Sequence, residues 1–128
     1  MPILSKEERR DGIRCLRLSG STSLAEVMDF IASTIARCRD AGVARLLVNG
    51  CGLEGVSVPT LVDRFLMAEE WAGEARGIVA VALVVPPEYI HPDKFGVAVA
   101  TKLGMQCEVW PTEEPAFAWL DRVFQHPG

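Results

Sequence analysis

The sequence predicts one α/β domain with a mostly parallel sheet, and three observations support this prediction. Apolar runs of strand length alternate with amphipathic runs of helical period along most of the chain. The run at residues 78–85 is apolar without interruption, as is typical of a parallel strand buried on both faces. The 128 residues are 49% hydrophobic, which is enough for one sizeable core. We therefore expect residues 1–128 to form a single domain with a five-stranded sheet and about four helices.

The first predicted elements are an N-terminal hairpin and a helix. Strands at residues 3–8 and 13–19 flank a turn at residues 9–12, where Asp11-Gly12 is a strong tight-turn signal. Ser23 is the predicted N-cap of the first helix, because Glu26 three residues later completes a capping-box pattern. Gly42 is the expected C-terminal stop of that helix.

Three strand–helix units follow the first helix. A strand at residues 45–48 leads through a glycine-bearing loop to a second helix at about residues 59–73. The strand at residues 78–85 precedes a third helix from Pro92 to Gly104, and a short strand at residues 107–110 precedes a fourth helix capped by Thr112. Residues 125–128 are expected to fray. This alternation requires right-handed crossovers and helices packed on the faces of the sheet.

Composition and charge exclude several classes of function. The net charge of −4 argues against nucleic acid, since phosphate binding requires a basic stripe. No apolar run reaches the roughly 18 residues that a membrane span needs, and the N-terminus does not resemble a signal peptide. The four cysteines are scattered, with no Cys-x-x-Cys pair, so no metal or other cofactor is predicted. We expect reduced thiols and a cytoplasmic location.

The junction between the third strand and the second helix holds the candidate functional groups. In an open α/β sheet, ligands bind at the carboxyl ends of the strands. Ser57 is the expected N-cap of the second helix; in the alternative reading, Ser57 or Thr60 is a phosphoacceptor at the helix N-terminus. Cys51, between two glycines, is a reactive-thiol candidate, and His91 is the only plausible base for it. No orienting acid can be assigned, so we predict no catalytic residues and no enzyme.

The second helix is broader in apolar character than a surface helix needs to be. One predicted face and its edge consist of Leu61, Val62, Phe65, Leu66, Ala68 and Ala72. Met67 and Trp71 fall on a different side, where we expect them to contact something other than the sheet. The sequence leaves open whether a second subunit, a partner protein, an apolar ligand or the loop at residues 86–91 covers this helix.

An apolar ligand would occupy a pocket between the second and third helices. The residues expected to line that pocket are Phe65, Trp71, Phe95 and Tyr89, with His91 as a further contact. Such pockets are mostly apolar and carry few polar groups.

Three helical segments carry a family resemblance. They are Arg-Phe-Leu-Met-Ala-Glu-Glu-Trp-Ala at residues 64–72, Pro-Asp-Lys-Phe-Gly-Val-Ala-Val-Ala at residues 92–100 and Glu-Glu-Pro-Ala-Phe-Ala-Trp-Leu at residues 113–120. Together with the order of elements, they resemble the SpoIIAA-like fold of STAS and Sec14-type domains, in a bacterial STAS/Sec14-like branch.

The resemblance implies a non-enzymatic regulatory module that works by protein–protein contact, as a homodimer or with another protein. Its alternative implication is a lipid or other apolar small molecule in a Sec14-like pocket. In anti-sigma-factor antagonists of this fold, a serine or threonine at the start of the helix after the third strand is phosphorylated. That role would fall on Ser57 or Thr60, although residues 56–60 lack the acid and the glycine that flank the phosphorylated serine in that family.

Overall fold

The computed structural model describes residues 3–124, so the tail expected to fray lies outside the described residues. Ten elements follow one another along the chain. They are β1 (Leu4–Arg10), β2 (Ile13–Ser21), α1 (Leu24–Asp40), β3 (Arg45–Glu54), α2 (Leu61–Ala75), β4 (Ala80–Val84), a 3₁₀ turn (Pro87–Tyr89), α3 (Phe95–Lys102), β5 (Cys107–Trp110) and α4 (Glu113–Arg122). Within the described chain, no helix is both long enough and apolar enough to cross a membrane.

The five strands form one mixed, mostly parallel sheet, as predicted, and they lie in the order β1-β2-β3-β4-β5. β1 is antiparallel to β2, and the other neighbours are parallel. Because each parallel strand is added on the same side of the previous one, crossovers of one hand place α1, α2 and α3 on the same face. These three helices share one core cluster, while α4 covers the opposite face with a second cluster.

The hairpin turn is tighter than predicted. Asp11 and Gly12 have φ angles of 51° and 81°, both positive as a two-residue type I′ turn requires. β1 therefore extends to Arg10 instead of ending at residue 8. Every residue of β1 is exposed, and its charged sequence is typical of an edge strand protected against pairing with other chains.

β3 is longer than predicted, so the glycine-bearing loop before α2 is shorter than expected and retains only Gly55 of the three glycines. The strand continues to Glu54, because its second half pairs with β2 after a shift in register between Arg17 and Ser19. A Cβ atom at Gly52 would lie only 2.7 Å from the carbonyl oxygen of Leu18. Glycine at this position therefore permits close approach of two strands rather than a flexible loop.

The predicted N-cap of α2 was also wrong. Thr60, not Ser57, is the N-cap residue. The Asp63 backbone N–H donates to the Thr60 hydroxyl oxygen at 3.1 Å, and the Thr60 N–H donates to the Asp63 carboxylate at 2.9 Å. This is a complete capping box, which Ser57 cannot form because Thr60, not an acid or glutamine, lies three residues after it. The predicted cap of α1 is confirmed, since Ser23 accepts a hydrogen bond from the Glu26 N–H.

Candidate functional site

An apolar cavity of about 110 Å³ lies between α1, α2 and the carboxyl ends of β3 and β4. Its position agrees with the general rule that ligands bind at the carboxyl ends of parallel strands. Side chains from the sheet, both helices and two loops line it: Leu18, Leu24, Val27, Ile31, Val48, Leu53, Val56, Pro59, Arg64, Met67, Trp71, Leu83, Val85, Pro86 and Tyr89, together with Gly50. Among residues 3–124, Arg64 has the only charged side chain in this wall.

Two loops form the roof of this cavity and are held together by hydrogen bonds. The Tyr89 hydroxyl donates to the carbonyl oxygen of Val56 at 2.6 Å, which joins the segment before α2 to the segment after β4. The Arg64 guanidinium donates to the Tyr89 carbonyl oxygen at 3.1 Å. The loop at residues 86–91 therefore packs against α2, as one of the four alternatives from the sequence proposed.

Trp71 is inside the protein and lines the cavity, so it is not exposed for contact with a partner. Its side chain is buried between α1 and α2, with 5% of its surface exposed. The indole N–H donates to the Met28 carbonyl oxygen at 3.1 Å, and Met67 lies half-buried one turn earlier on the same cavity wall. α2 is apolar on more than one side, as predicted, but its predicted apolar face is divided: Ala68 and Ala72 are buried, and the larger residues of that face are exposed.

The outer side of α2 carries an exposed apolar surface, which we call the α2 patch. It comprises five side chains that are 43–67% exposed: Val58, Leu61, Val62, Phe65 and Leu66. Four of them belong to the first half of α2, and Val58 lies in the segment before it. A cluster of large apolar side chains on one surface is a feature of interaction sites.

A second cavity, of about 70 Å³, lies between α2 and α3. It shares four wall residues with the first cavity, namely Arg64, Met67, Trp71 and Tyr89, and His91 lines it as well. Among the described residues, the walls of these two cavities include neither Phe65, which belongs to the α2 patch, nor Phe95, whose ring lies 6.3 Å from that of His91. The pocket expected between these helices therefore exists with a partly different lining, and the ligand roles of its residues stay predictions.

The Arg64 side chain is partly buried and packs closely against its neighbours. Burial lowers the pKa of its guanidinium, and the nearby charge of Asp63 offsets this effect only in part. Helix α3 packs closely here, because a Cβ atom at Gly96 would lie 3.6 Å from the Arg64 Cβ atom. Arg64 shares this inner side of α2 with Met67 and Trp71, and it was not among the candidate site residues predicted from the sequence.

Cys51 and His91 show no mutual activation. Cys51 is exposed near the end of β3, and partial desolvation, followed by the charges of Glu113 and Glu88, raises the pKa of its thiol. A raised pKa reduces the thiolate fraction that a nucleophile needs. The Nδ1 atom of His91 accepts a hydrogen bond from the Asp93 N–H at 3.1 Å. The role of Cys51 as a reactive thiol stays a prediction.

Ser57 and Thr60 both lie exposed before α2. The Thr60 hydroxyl oxygen takes part in the capping box, so modification of Thr60 would alter the start of the helix. The Ser57 side chain precedes the cap by three residues. Phosphorylation at either position stays a prediction.

A polar network on the opposite face of the sheet was missed from the sequence. Arg17 on β2 donates two hydrogen bonds of 2.8 Å to the Glu113 carboxylate, and the Asn49 amide on β3 donates a third at 2.7 Å. The bond from Arg17, and then that from Asn49, lower the pKa of Glu113 despite its partial burial. Glu113 was not among the candidate residues predicted from the sequence, since no local pattern links Glu113 with Arg17 and Asn49.

Comparison with known proteins identifies the fold of this chain. No protein-family model matches the chain, and no curated protein matches it. An anti-sigma factor antagonist from Mycobacterium paratuberculosis has a similar crystal structure, with a TM-score of 0.59 and 11% identity over 94% of this chain and 95% of that one. A DUF3478-family protein from Shewanella loihica PV-4 with a SpoIIAA-like fold is similar at a TM-score of 0.50 and 16% identity, over 92% and 93% of the two chains. This protein therefore has the SpoIIAA-like fold that its sequence resembled.

Proposed function

We propose that this chain is a non-enzymatic regulatory module of the STAS type, located in the cytoplasm, that binds another protein through the α2 patch. The observation that carries the proposal is the exposure of Val62 and Phe65 together with the other apolar residues of the patch. Exposed apolar clusters of this kind are stabilised by contact with another surface. One structurally similar protein is an anti-sigma factor antagonist, which makes a protein the class of partner we propose.

The shape of the patch supports a protein partner. Its members lie on consecutive turns of α2 and on the segment that enters the helix, so they form the outer side of one rigid helix. Interfaces have an apolar centre surrounded by a polar rim, and the exposed acids Glu69 and Glu70 continue the helix beyond the patch. A second copy of the chain is the first partner to test, since a homodimer requires no other component.

The experiment places a photo-crosslinking amino acid at Phe65 in the native cell. We expect one defined covalent adduct, whose mass distinguishes a second copy of the chain from another protein. The matched control places the crosslinker at Leu103, which is 51% exposed at the end of α3 and outside the patch. The adduct at position 65 should disappear when Val62→Glu and Leu66→Glu are introduced into a protein that still unfolds cooperatively. Identical adducts at both positions, or none at position 65, would contradict the proposal.

The second candidate function is binding of a lipid or other apolar small molecule. The cavity of about 110 Å³ favours it, because closed apolar cavities of similar size accept molecules the size of benzene. Native mass spectrometry of gently purified protein tests this function. Extra mass that is lost on denaturation would support a carried ligand. Failure of the wild-type protein to bind any added apolar probe would count against this second function.

A further inference from the structure

The Arg64 side chain is a cation set in an otherwise apolar wall. It lies between the cavity of about 110 Å³ and the smaller one of about 70 Å³, and it lines both. One of its terminal N–H groups donates to the Tyr89 carbonyl oxygen at 3.1 Å. A guanidinium has five N–H donors, so most of its hydrogen-bonding capacity is available to a ligand in these cavities.

No protein carboxylate neutralises this cation. Within residues 3–124, no acidic side chain lies within ion-pair distance of Arg64. The adjacent Asp63 carboxylate accepts the Thr60 N–H in the capping box of α2. Partial burial lowers the pKa of Arg64. This partly buried charge therefore has no carboxylate partner among the described residues.

The remaining polar side chains around the cavities favour an anion over a cation. The wall residues of the two cavities include no aspartate or glutamate. The smaller cavity is lined instead by His91 and Lys94, although Lys94 also pairs with Glu108 at 3.1 Å. A ligand at Arg64 therefore meets neutral or basic groups only. The planar fork of a guanidinium matches the oxygens of a carboxylate, as it does those of a phosphate. The carboxylate is the smaller of these two groups and therefore suits the small cavities better.

We propose that these cavities bind a small amphiphilic carboxylate, with its carboxylate on Arg64 and its apolar body in the larger cavity. The inference rests on the second candidate function, and it adds the chemical class of the ligand. A cavity of about 110 Å³ suits a body of about six carbon atoms, by comparison with cavities that hold benzene. The hydrogen bond between Tyr89 and Val56 holds the loops that border the larger cavity.

The test compares hexanoate with 1-hexanol, which shares the apolar chain but lacks the charge, and with acetate, which lacks the chain. Binding is followed by the NMR shift of the Trp71 indole N–H, which lies in the cavity wall. We expect hexanoate to bind about tenfold or more tightly than hexanol, as a charge-assisted hydrogen bond provides. Acetate should produce no saturable shift. These three titrations of the wild-type protein decide the proposal even if a variant fails to fold.

Two arginine variants provide the matched comparison. Arg64→Gln should bind hexanoate and hexanol with equal affinity, because the carboxylate has lost its partner. Arg76→Gln removes the same charge from an exposed position just after the same helix and should keep the tenfold preference. Equal affinities in the wild-type protein, or an undiminished preference in Arg64→Gln, would overturn the carboxylate assignment alone. Failure of both hexanoate and hexanol to bind would overturn the apolar-ligand function as well.

Discussion

At the scale of single residues, Glu113 shows how one side chain connects distant elements. It is the first residue of α4, and its carboxylate accepts hydrogen bonds from Arg17 on β2 and Asn49 on β3. The helix that covers one face of the sheet is thereby attached to the middle of two neighbouring strands. Paired N–H groups on a carboxylate are among the stronger polar contacts in proteins.

We predict that Glu113→Gln lowers the free energy of unfolding by about 1 kcal/mol at pH 7, a modest value because Arg17 and Glu113 remain 40% and 25% exposed. The pKa of Glu113 is lowered in the folded protein. Its contribution is therefore complete above the unfolded-state pKa and is lost as the pH falls through the lower folded-state pKa. Urea unfolding at several pH values between 7 and 3 measures the difference.

The control for this prediction is Glu114→Gln, which removes an exposed carboxylate from the same first turn of α4. It should retain nearly all of the stability, since it loses only a weak interaction with the helix dipole. If the deficit of Glu113→Gln stayed constant from pH 7 to pH 3, the ion pair would not be its cause.

At the scale of elements, α2 is the helix whose packing differs most from what its sequence predicts. Both sides of α2 are apolar, and only one of them can pack against the sheet. Three small residues, Ala68, Ala72 and Ala75, are buried with Trp71, so the backbone approaches the sheet closely while the indole reaches α1. The larger residues of the first half are left outside. This orientation separates the cavity from the α2 patch, which would otherwise be one surface.

We predict that two aromatic truncations on this helix change the free energy of unfolding by very different amounts. Trp71→Ala should lower the free energy of unfolding by about 3–5 kcal/mol, because it leaves a large void and removes the hydrogen bond to the Met28 carbonyl oxygen. Phe65→Ala, from a residue that is 43% exposed, should change it by less than about 1 kcal/mol. Urea unfolding followed by circular dichroism measures both. Equal losses of unfolding free energy in the two variants would mean that α2 turns a different side toward the core.

At the scale of the whole molecule, the sheet separates two apolar layers that hold the buried cysteines. Cys38 and Cys107 lie in the layer under α1, α2 and α3, while Cys15 lies in the layer under α4. Burial raises the pKa of all three thiols, that of Cys107 to about 12. Cys51 alone among the four is exposed. The thiols therefore report separately on the surface and on the two layers.

We predict that a thiol-specific reagent modifies one cysteine per native chain and all four in urea. The three buried thiols should become reactive together, because a small domain unfolds cooperatively and exposes both layers at once. Absorbance of the chromophore that the reagent releases gives the number of modified thiols and the rates of their modification. Cys51→Ser should abolish the rapid phase and leave the others unchanged. A second rapid phase in the native protein would show that one layer opens independently.

Much of the fold was predictable because its signals are local. The order of strands and helices, the Asp11-Gly12 hairpin turn and the Ser23 cap depend on residues within a few positions of one another. The end of β3 lacked this property, because the strand is extended by pairing with β2. The cap of α2 was assigned to Ser57 although its signal is local, since Asp63 lies three residues after Thr60 and completes the capping box.

The candidate site was less predictable than the fold. Local periodicity showed that α2 is apolar on more than one side, and the tertiary structure alone decided that Trp71 faces inward and Phe65 outward. The isolation of Arg64 between two cavities likewise depends on loops and helices that are distant in sequence. The physical reason is that a repeat of three and four residues places side chains on a helix face, whereas burial of that face depends on what packs against it.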